Sequence, residues 1–218
     1  PYIKVPSGQT TTALPDSEQK NGPECFPEMV EYLDKNVGRL VNAVDELGLS
    51  NDTIILFCAD NGTHGPVTSV WGENRTKIKG GKMTMTDRGS RVPLIASWPG
   101  TIKPGVSDKV VCTIDFAGSL ANHLGVKLPQ DACLDSLNVM DAMLGKKKAK
   151  GRPHLIQQDN GRGNNYGYRV GNWKLQRHDS KKTNNYQVNK LLGGQRGKKV
   201  PQFALFDLSQ DPAEKSDL

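Results

Sequence analysis

No apolar run in this 218-residue chain is longer than about the six residues from Ile54 to Ala59. A membrane-crossing helix needs roughly 20, so no transmembrane span is expected. Cysteines are few, and none of the four (Cys25, Cys58, Cys112, Cys133) forms a Cys-x-x-Cys pair. Zinc ribbons and thioredoxin-like redox sites are thereby excluded. Three disulfide pairings remain open, and Cys58 and Cys112, in apolar runs, read as buried free thiols. Aromatic residues are 6% and hydrophobic residues 35%. That is below the roughly 45–50% of soluble domains, a figure that includes glycine. A core is possible where apolar residues cluster, with long polar loops between. There is no internal repeat, no initiator Met and no apolar secretory segment at the start. The chain reads as a piece of something longer, or a processed product.

Positive charge is in excess. Twenty-nine Lys and Arg face 23 Asp and Glu, for a net +6. Such a balance favours an anionic partner such as nucleic acid, a membrane surface, or a sulfated or phosphorylated substrate. The Lys146–Lys150 run lacks interleaved aromatics and a nucleic-acid motif. It reads as a solvated linker, and no specific nucleic-acid partner is expected.

Residues 1–22 are rich in Thr, Ser, Pro and Gly and read as an extended surface segment. From Phe26 to Leu47 apolar residues recur at three- and four-residue spacing, which predicts an amphipathic helix. Pro27 suits its first turn and Gly48 the left-handed position past its end. Thr53–Ala59 is continuously apolar, the pattern of a strand covered on both faces. Helix, link and buried strand make half of a βαβ crossover, so the fold class is α/β. Residues 63–90 read as a long loop, of the kind that is functional or disordered. Val92–Trp98 and Val110–Thr113 read as strands, Asp115 as the cap of a helix ending near Leu124 and Gly125, and Val139–Leu144 as a helical turn or two. After the basic linker, His154–Gln157, Tyr168–Val170, Trp173–Leu175 and Phe203–Phe206 read as short antiparallel strands. Gly171-Asn172 fits a two-residue hairpin, and residues 178–201 read as a mobile loop. The expected division is thus residues 1–150 and a smaller antiparallel subdomain, 151–218.

Few residues carry chemistry. Asp60-Asn61, at the carboxyl end of the buried strand, offers two adjacent oxygen donors of the kind Ca²⁺ and Mg²⁺ prefer. With Gly62 the same residues are also a strong turn signal. Lys77, Lys79 and Lys82 suit a phosphate or sulfate oxygen, or equally a solvated loop face. His64 suits a general acid or a substrate contact, or an exposed loop. Cys25-Phe-Pro-Glu-Met29 looks like a cysteine-x-Pro-x-Arg nucleophile motif, but Met29 stands where the arginine belongs, so it is set aside.

Taken together, the pieces resemble the second half of a sulfatase. The resemblance rests on the order and spacing of several blocks: Tyr32-Leu-Asp34 with Gly38-Arg39-Leu40; Thr53 to Gly62; Gly81-Lys82 with Asp87, Gly89 and Arg91-Val92-Pro93, then Trp98-Pro99-Gly100; Arg169-x-Gly171-x-Trp173-Lys174-Leu175; and Leu205-Phe-Asp207 with Asp211-Pro212-x-Glu214. It implies a partial alkaline-phosphatase-like mixed sheet with flanking helices, plus a small C-terminal antiparallel sheet. It implies that Asp60 and Asn61 complete a divalent-cation site, usually calcium, and that Lys82 holds a sulfate oxygen. The implied reaction is hydrolysis of a sulfate ester on a small molecule or glycan, in an exported or periplasmic setting. Asp87 replaces the family's usual Glu, and Arg88 replaces a Gly and is a further candidate anion contact. The family nucleophile is a formylglycine made within a Cys/Ser-x-Pro-x-Arg motif, and no such motif is present. The early acidic metal ligands are absent too, so the chain alone is expected to be inactive. The rivals are a phosphodiesterase or phosphonate hydrolase of the same superfamily and a non-catalytic anion-binding module.

Overall fold

The computed structural model describes residues 23–64, 67–159, 165–179 and 201–218. The surface segment expected over 1–22 and most of the loop expected over 178–201 lie outside them. By packing, the chain divides into residues 1–55 and 56–218.

The first unit contains helix α1, Phe26–Glu46, preceded by a 3₁₀ turn at Pro23–Cys25. Pro27 occupies its first turn, where a missing N–H costs nothing. Its end is closed by two reversed bonds, Gly48 N–H to Asp45 O at 2.8 Å and Leu49 N–H to Val44 O at 3.0 Å. Gly48 takes φ +69° to allow this. The apolar stripe is formed as expected, yet no residue of α1 is buried, and Leu40 is 68% exposed.

Strand β1 (Ile55–Cys58), whose residues from Leu56 on belong to the second unit, pairs with β4 (Leu94–Ser97). All four β1 residues are half-buried. The two-sided cover read from their unbroken apolar run is therefore not supplied by the described residues. Cys58 and Cys112 are half-buried as well, and Cys25 is the buried cysteine. The stretch read as one long loop contains structure of its own. A hairpin joins β2 (Val70–Trp71) to β3 (Thr76–Lys77), and a single helical turn, α2, covers Asp87–Ser90. The hairpin turn uses Gly72 and Arg75, both at positive φ.

The strand expected at Val110–Thr113 does not form. Its backbone groups go elsewhere: Cys112 N–H donates to Asp115 Oδ2 at 3.0 Å, and Val110 O accepts from Arg152 N–H at 2.7 Å. Asp115 does not cap α3 (Asp115–His123) by a side-chain bond to its N–H groups. Its fully buried carboxylate instead binds the preceding turn, Leu137 N–H at 2.9 Å, and the Arg152 guanidinium. Ser119 Oγ accepts from Val139 N–H at 3.0 Å and donates to Leu137 O, which seats α4 (Met140–Met143) on α3.

The chain ends in an antiparallel sheet ordered β5-β6-β7-β8, comprising Leu155–Gln158, Tyr166–Val170, Trp173–Arg177 and Phe203–Asp207. The β6–β7 turn places Gly171 at φ +56°, as a two-residue hairpin requires. Pairing puts Ile156, Tyr168, Leu175 and Leu205 in one cross-strand row. That row is exposed. The opposite face is buried and largely polar, with Gln157, Lys174 and Gln176 beside Ala204 and Phe206.

Candidate functional site

β1 delivers Asp60-Asn61-Gly62 to its carboxyl end, where a turn begins. That turn lies against the segment carrying Lys82. Gly62 N–H donates to Gly89 O at 2.9 Å, and Lys82 N–H donates to Thr63 O at 3.0 Å. The approach is close enough to require glycine on both sides. A Cβ on Gly62 would stand 1.8 Å from Arg88 O, and one on Gly89 would stand 2.1 Å from Thr84 O. Two candidates 22 positions apart in sequence thus sit on backbones that hydrogen-bond each other. Asp60 and Lys82 are exposed and Asn61 half-buried, so these polar groups face a wet surface rather than the interior.

The remaining candidates separate. Lys77 lies in β3 and is exposed. Lys79 is half-buried and offers its carbonyl to the Thr86 hydroxyl at 3.1 Å. His64 is exposed in the same turn as Asp60, and its carbonyl accepts from Val67 N–H. Arg88, a candidate anion contact, has another duty. Its guanidinium binds Gly80 O at 2.8 Å, Val67 O, His64 O and Ser69 Oγ. Four oxygens already use its donors, so it clamps His64, Val67 and Ser69 to the 80–88 segment.

The donor types at Asp60-Asn61 suit a hard divalent cation. Their number does not complete a shell, because Ca²⁺ takes six to eight oxygens. Among the described residues no three His, Cys, Asp or Glu side chains cluster as a metal site. The pair can therefore form only part of one.

Beneath the Lys82 segment lies a group that periodicity did not reveal. Lys174, fully buried on β7, places Nζ 3.0 Å from Asp87 Oδ1 and 3.1 Å from Glu214 Oε1. Glu214 Oε1 also accepts Asp87 N–H at 2.7 Å, and Glu214 Oε2 accepts from the Gln176 amide. Arg169 and Arg91 lie 3.4 and 3.6 Å from Asp87 Oδ2. Burial by itself raises the Asp87 carboxyl, but Lys174, with help from Arg169 and Arg91, brings it below the ordinary aspartate value. Glu214 goes the other way: burial, reinforced by the negative charge of Asp87, outweighs Lys174 and raises it.

The sulfatase family model matches residues 5–126, and the model described as "N-sulphoglucosamine sulphohydrolase, C-terminal" matches residues 81–218. The chain belongs to the sulfatase family. It is 30% identical over 210 residues to an N-acetylgalactosamine-6-O-sulfatase of Bacteroides thetaiotaomicron, covering 91% of this chain and 39% of that protein. It is 34% identical over 131 residues to human arylsulfatase A, covering 60% of this chain and 25% of the relative. Among solved structures, a protein of a Bacteroides thetaiotaomicron locus for metabolism of multiple glycosaminoglycans superposes with TM-score 0.67 at 30% identity, over 85% of this chain and 38% of that one. A structure in complex with its substrate D-glucosamine-2-N,6-O-disulfate shares the fold at TM-score 0.57 and 22% identity, covering 86% of this chain and 34% of that one. The fold is thus part of the alkaline-phosphatase-like fold of sulfatases, with a small C-terminal four-stranded antiparallel sheet. The chain spans about two fifths of the length of the first of these relatives. No helix among the described residues is long and apolar enough to cross a membrane.

Proposed function

We propose that this chain forms the C-terminal part of a sulfatase that hydrolyses a sulfate ester, releasing sulfate and an alcohol. The observation that carries the reading is the backbone junction of the Asp60-Asn61 turn with the Lys82 segment, two hydrogen bonds at 2.9 and 3.0 Å. In this reading Asp60 and Asn61 are two oxygen ligands of a divalent cation, Ca²⁺ by family resemblance. The cation, when bound, supplies fixed positive charge beside anionic oxygens. Lys82 places an ammonium on a sulfate oxygen, where it binds the ester and offsets charge that grows as the leaving group departs. His64, in the same turn, contacts the substrate. The nucleophile, a formylglycine by the same resemblance, and the remaining metal ligands belong to sequence outside this chain. The excess of basic residues and the relatives' names favour a sulfated small molecule or glycan as substrate. An exported or periplasmic setting belongs to the same proposal.

The test uses an arylsulfate and the complete enzyme containing this chain. Lys82→Ala and Asp60→Asn should each lower kcat/KM by about a hundredfold or more, as removing one charge-stabilising group does. Unchanged turnover in Lys82→Ala would favour a non-catalytic anion-binding module. Preference for a phosphodiester or phosphonate would favour the superfamily rival. The 218-residue chain alone should show little or no turnover, and rapid turnover by it would refute the assignment of the nucleophile elsewhere.

A further inference from the structure

Three residues from separate sequence blocks meet in the buried cluster: Asp87 from the Gly81–Pro93 block, Lys174 from Trp-Lys-Leu, and Glu214 from Asp-Pro-x-Glu. Each is buried, and Lys174 is 0% exposed. A buried ion set is weak evidence of stability, since well-packed apolar residues often do as well. What such a set fixes is geometry, because each partner must stand at hydrogen-bond distance from the next.

The segment it grips is held on one side by the Arg88 clamp and the Gly62–Gly89 junction, and on the other by this cluster. α2 is four residues long, too short to hold itself. Lys82 lies between two residues at positive φ, Gly81 at +142° and Met83 at +77°. For methionine that conformation costs on the order of 1–3 kcal/mol and persists only where surrounding structure imposes it. One set of these contacts runs to the C-terminal sheet and the segment that follows it. Glu214 holds Asp87 N–H, Lys174 holds the Asp87 carboxylate, and the Gln157 amide holds Ser90 Oγ. On its other side the same segment meets the Asp60 turn through Gly89 and Lys82.

We propose that Lys174 and Glu214 are positioning residues of the active site: from β7 and from the segment after β8 they lock the Gly81–Ser90 segment so that Lys82 stands beside the Asp60-Asn61 turn. This rests on the reading of Lys82 as the sulfate-binding lysine. It gives the four-stranded sheet a part in catalysis although none of its strands carries a proposed catalytic group.

Lys174→Met is the test, because methionine fills the volume and removes the charge. In this chain, hydrogen exchange of the Gly81–Ser90 amides should quicken about tenfold or more, while the β6 and β7 amides keep their protection. In the complete enzyme, kcat/KM for an arylsulfate should fall about tenfold to a hundredfold, with a raised KM, as expected for misplacement by about 1 Å. A role confined to stability predicts fewer active molecules at an unchanged KM, and that result overturns the proposal, as does unchanged exchange at 81–90. Should Lys174→Met fail to fold, Glu214→Gln decides. It keeps an acceptor for Asp87 N–H but cannot serve Lys174 and Gln176 with two anionic oxygens, so a raised KM supports positioning and an unchanged KM overturns it. Lys82→Ala in the same assay separates the two failures. If Lys82→Ala is silent, the sulfatase reading of Lys82 fails. If Lys82→Ala is crippled while Lys174→Met is unchanged, only the positioning role fails.

Discussion

Gly62→Ala tests the junction on which the site depends. Gly62 has no left-handed φ, so alanine can adopt its backbone without penalty and the whole effect is contact. The new methyl would lie 1.8 Å from Arg88 O, 2.7 Å from Arg88 C and 2.9 Å from Gly89 C. All three are backbone atoms, so no rotamer change relieves the clash. Real Cβ contacts almost never come under 3.0 Å, which forces the turn and α2 apart by on the order of 1 Å. Overpacking of this kind costs about 1–3 kcal/mol. Losing the Gly62–Gly89 hydrogen bond adds about 1 kcal/mol. Urea unfolding followed by tryptophan fluorescence measures the sum, because Trp71, Trp98 and Trp173 all lie in residues 56–218. The midpoint should drop by an amount equivalent to about 2–4 kcal/mol. In the complete enzyme, kcat/KM should fall about a hundredfold, because Asp60 and Lys82 are pushed apart along the axis that the junction fixes. A variant with wild-type midpoint and wild-type kinetics would refute the reasoning, since the clash admits no cheap escape.

Two further outcomes are expected. Asp115→Ala should destabilise residues 56–218 by about 3–5 kcal/mol, because it leaves the Arg152 guanidinium, whose side chain is 8% exposed, and the Leu137 and Cys112 N–H groups without their acceptor; denaturant titration of Asp115→Ala against Asp115→Asn checks this, and a loss under 1 kcal/mol would refute the central place given to that carboxylate. Stability against pH should carry opposed signatures from two buried groups. Glu214 has a raised carboxyl, so the folded state holds that proton after the unfolded state has released it, and stability declines as pH rises from the ordinary glutamate value through the raised one. His178, lowered by burial against the opposing Pro201 carbonyl and Asp217 charge, resists protonation when folded, so its contribution is lost as pH falls below the ordinary histidine value. The difference profile between wild type and Glu214→Gln isolates the first effect: the alkaline-going decline should vanish in the variant, and its persistence would contradict the assignment.

Much of the fold was legible because the relevant signals are local. The α1 stripe, the Pro27 start and the Gly48 stop each depend on residues within a turn of one another, and all three form. The same holds for the Gly171-Asn172 hairpin. The failures share a cause. Val110–Thr113 has a strand's composition, yet Asp115 takes the Cys112 N–H and residue 152 takes the Val110 carbonyl. Val70–Trp71 and Thr76–Lys77 pair over two residues each, too few for any periodicity to register. Arg88 reads as a spare cation until its four oxygen partners, drawn from residues 64–80, are known. At the site, Asp60, Asn61 and Lys82 were nameable from sequence blocks, but the junction joining them is a backbone contact that no side-chain pattern encodes.

The C-terminal sheet shows most directly why the rest was hidden. Trp173-Lys-Leu-Gln-Arg alternates apolar and polar residues, and the usual reading of such a strand puts the apolar set inside. The structure does the reverse: Lys174 and Gln176 are buried while Trp173 and Leu175 are 51% and 40% exposed. Burying Lys174 is tolerable because two carboxylates meet its ammonium, one 87 residues and one 40 residues away in sequence. A lysine buried without them would carry a cost far above any single packing gain. Periodicity shows that one face of β7 differs from the other; which face turns inward is decided by distant acids, and only the assembled structure brings Asp87 and Glu214 to that face. The inverted sheet and the ion cluster are thus one feature, and the polar interior of the sheet is where the Lys82 segment is held.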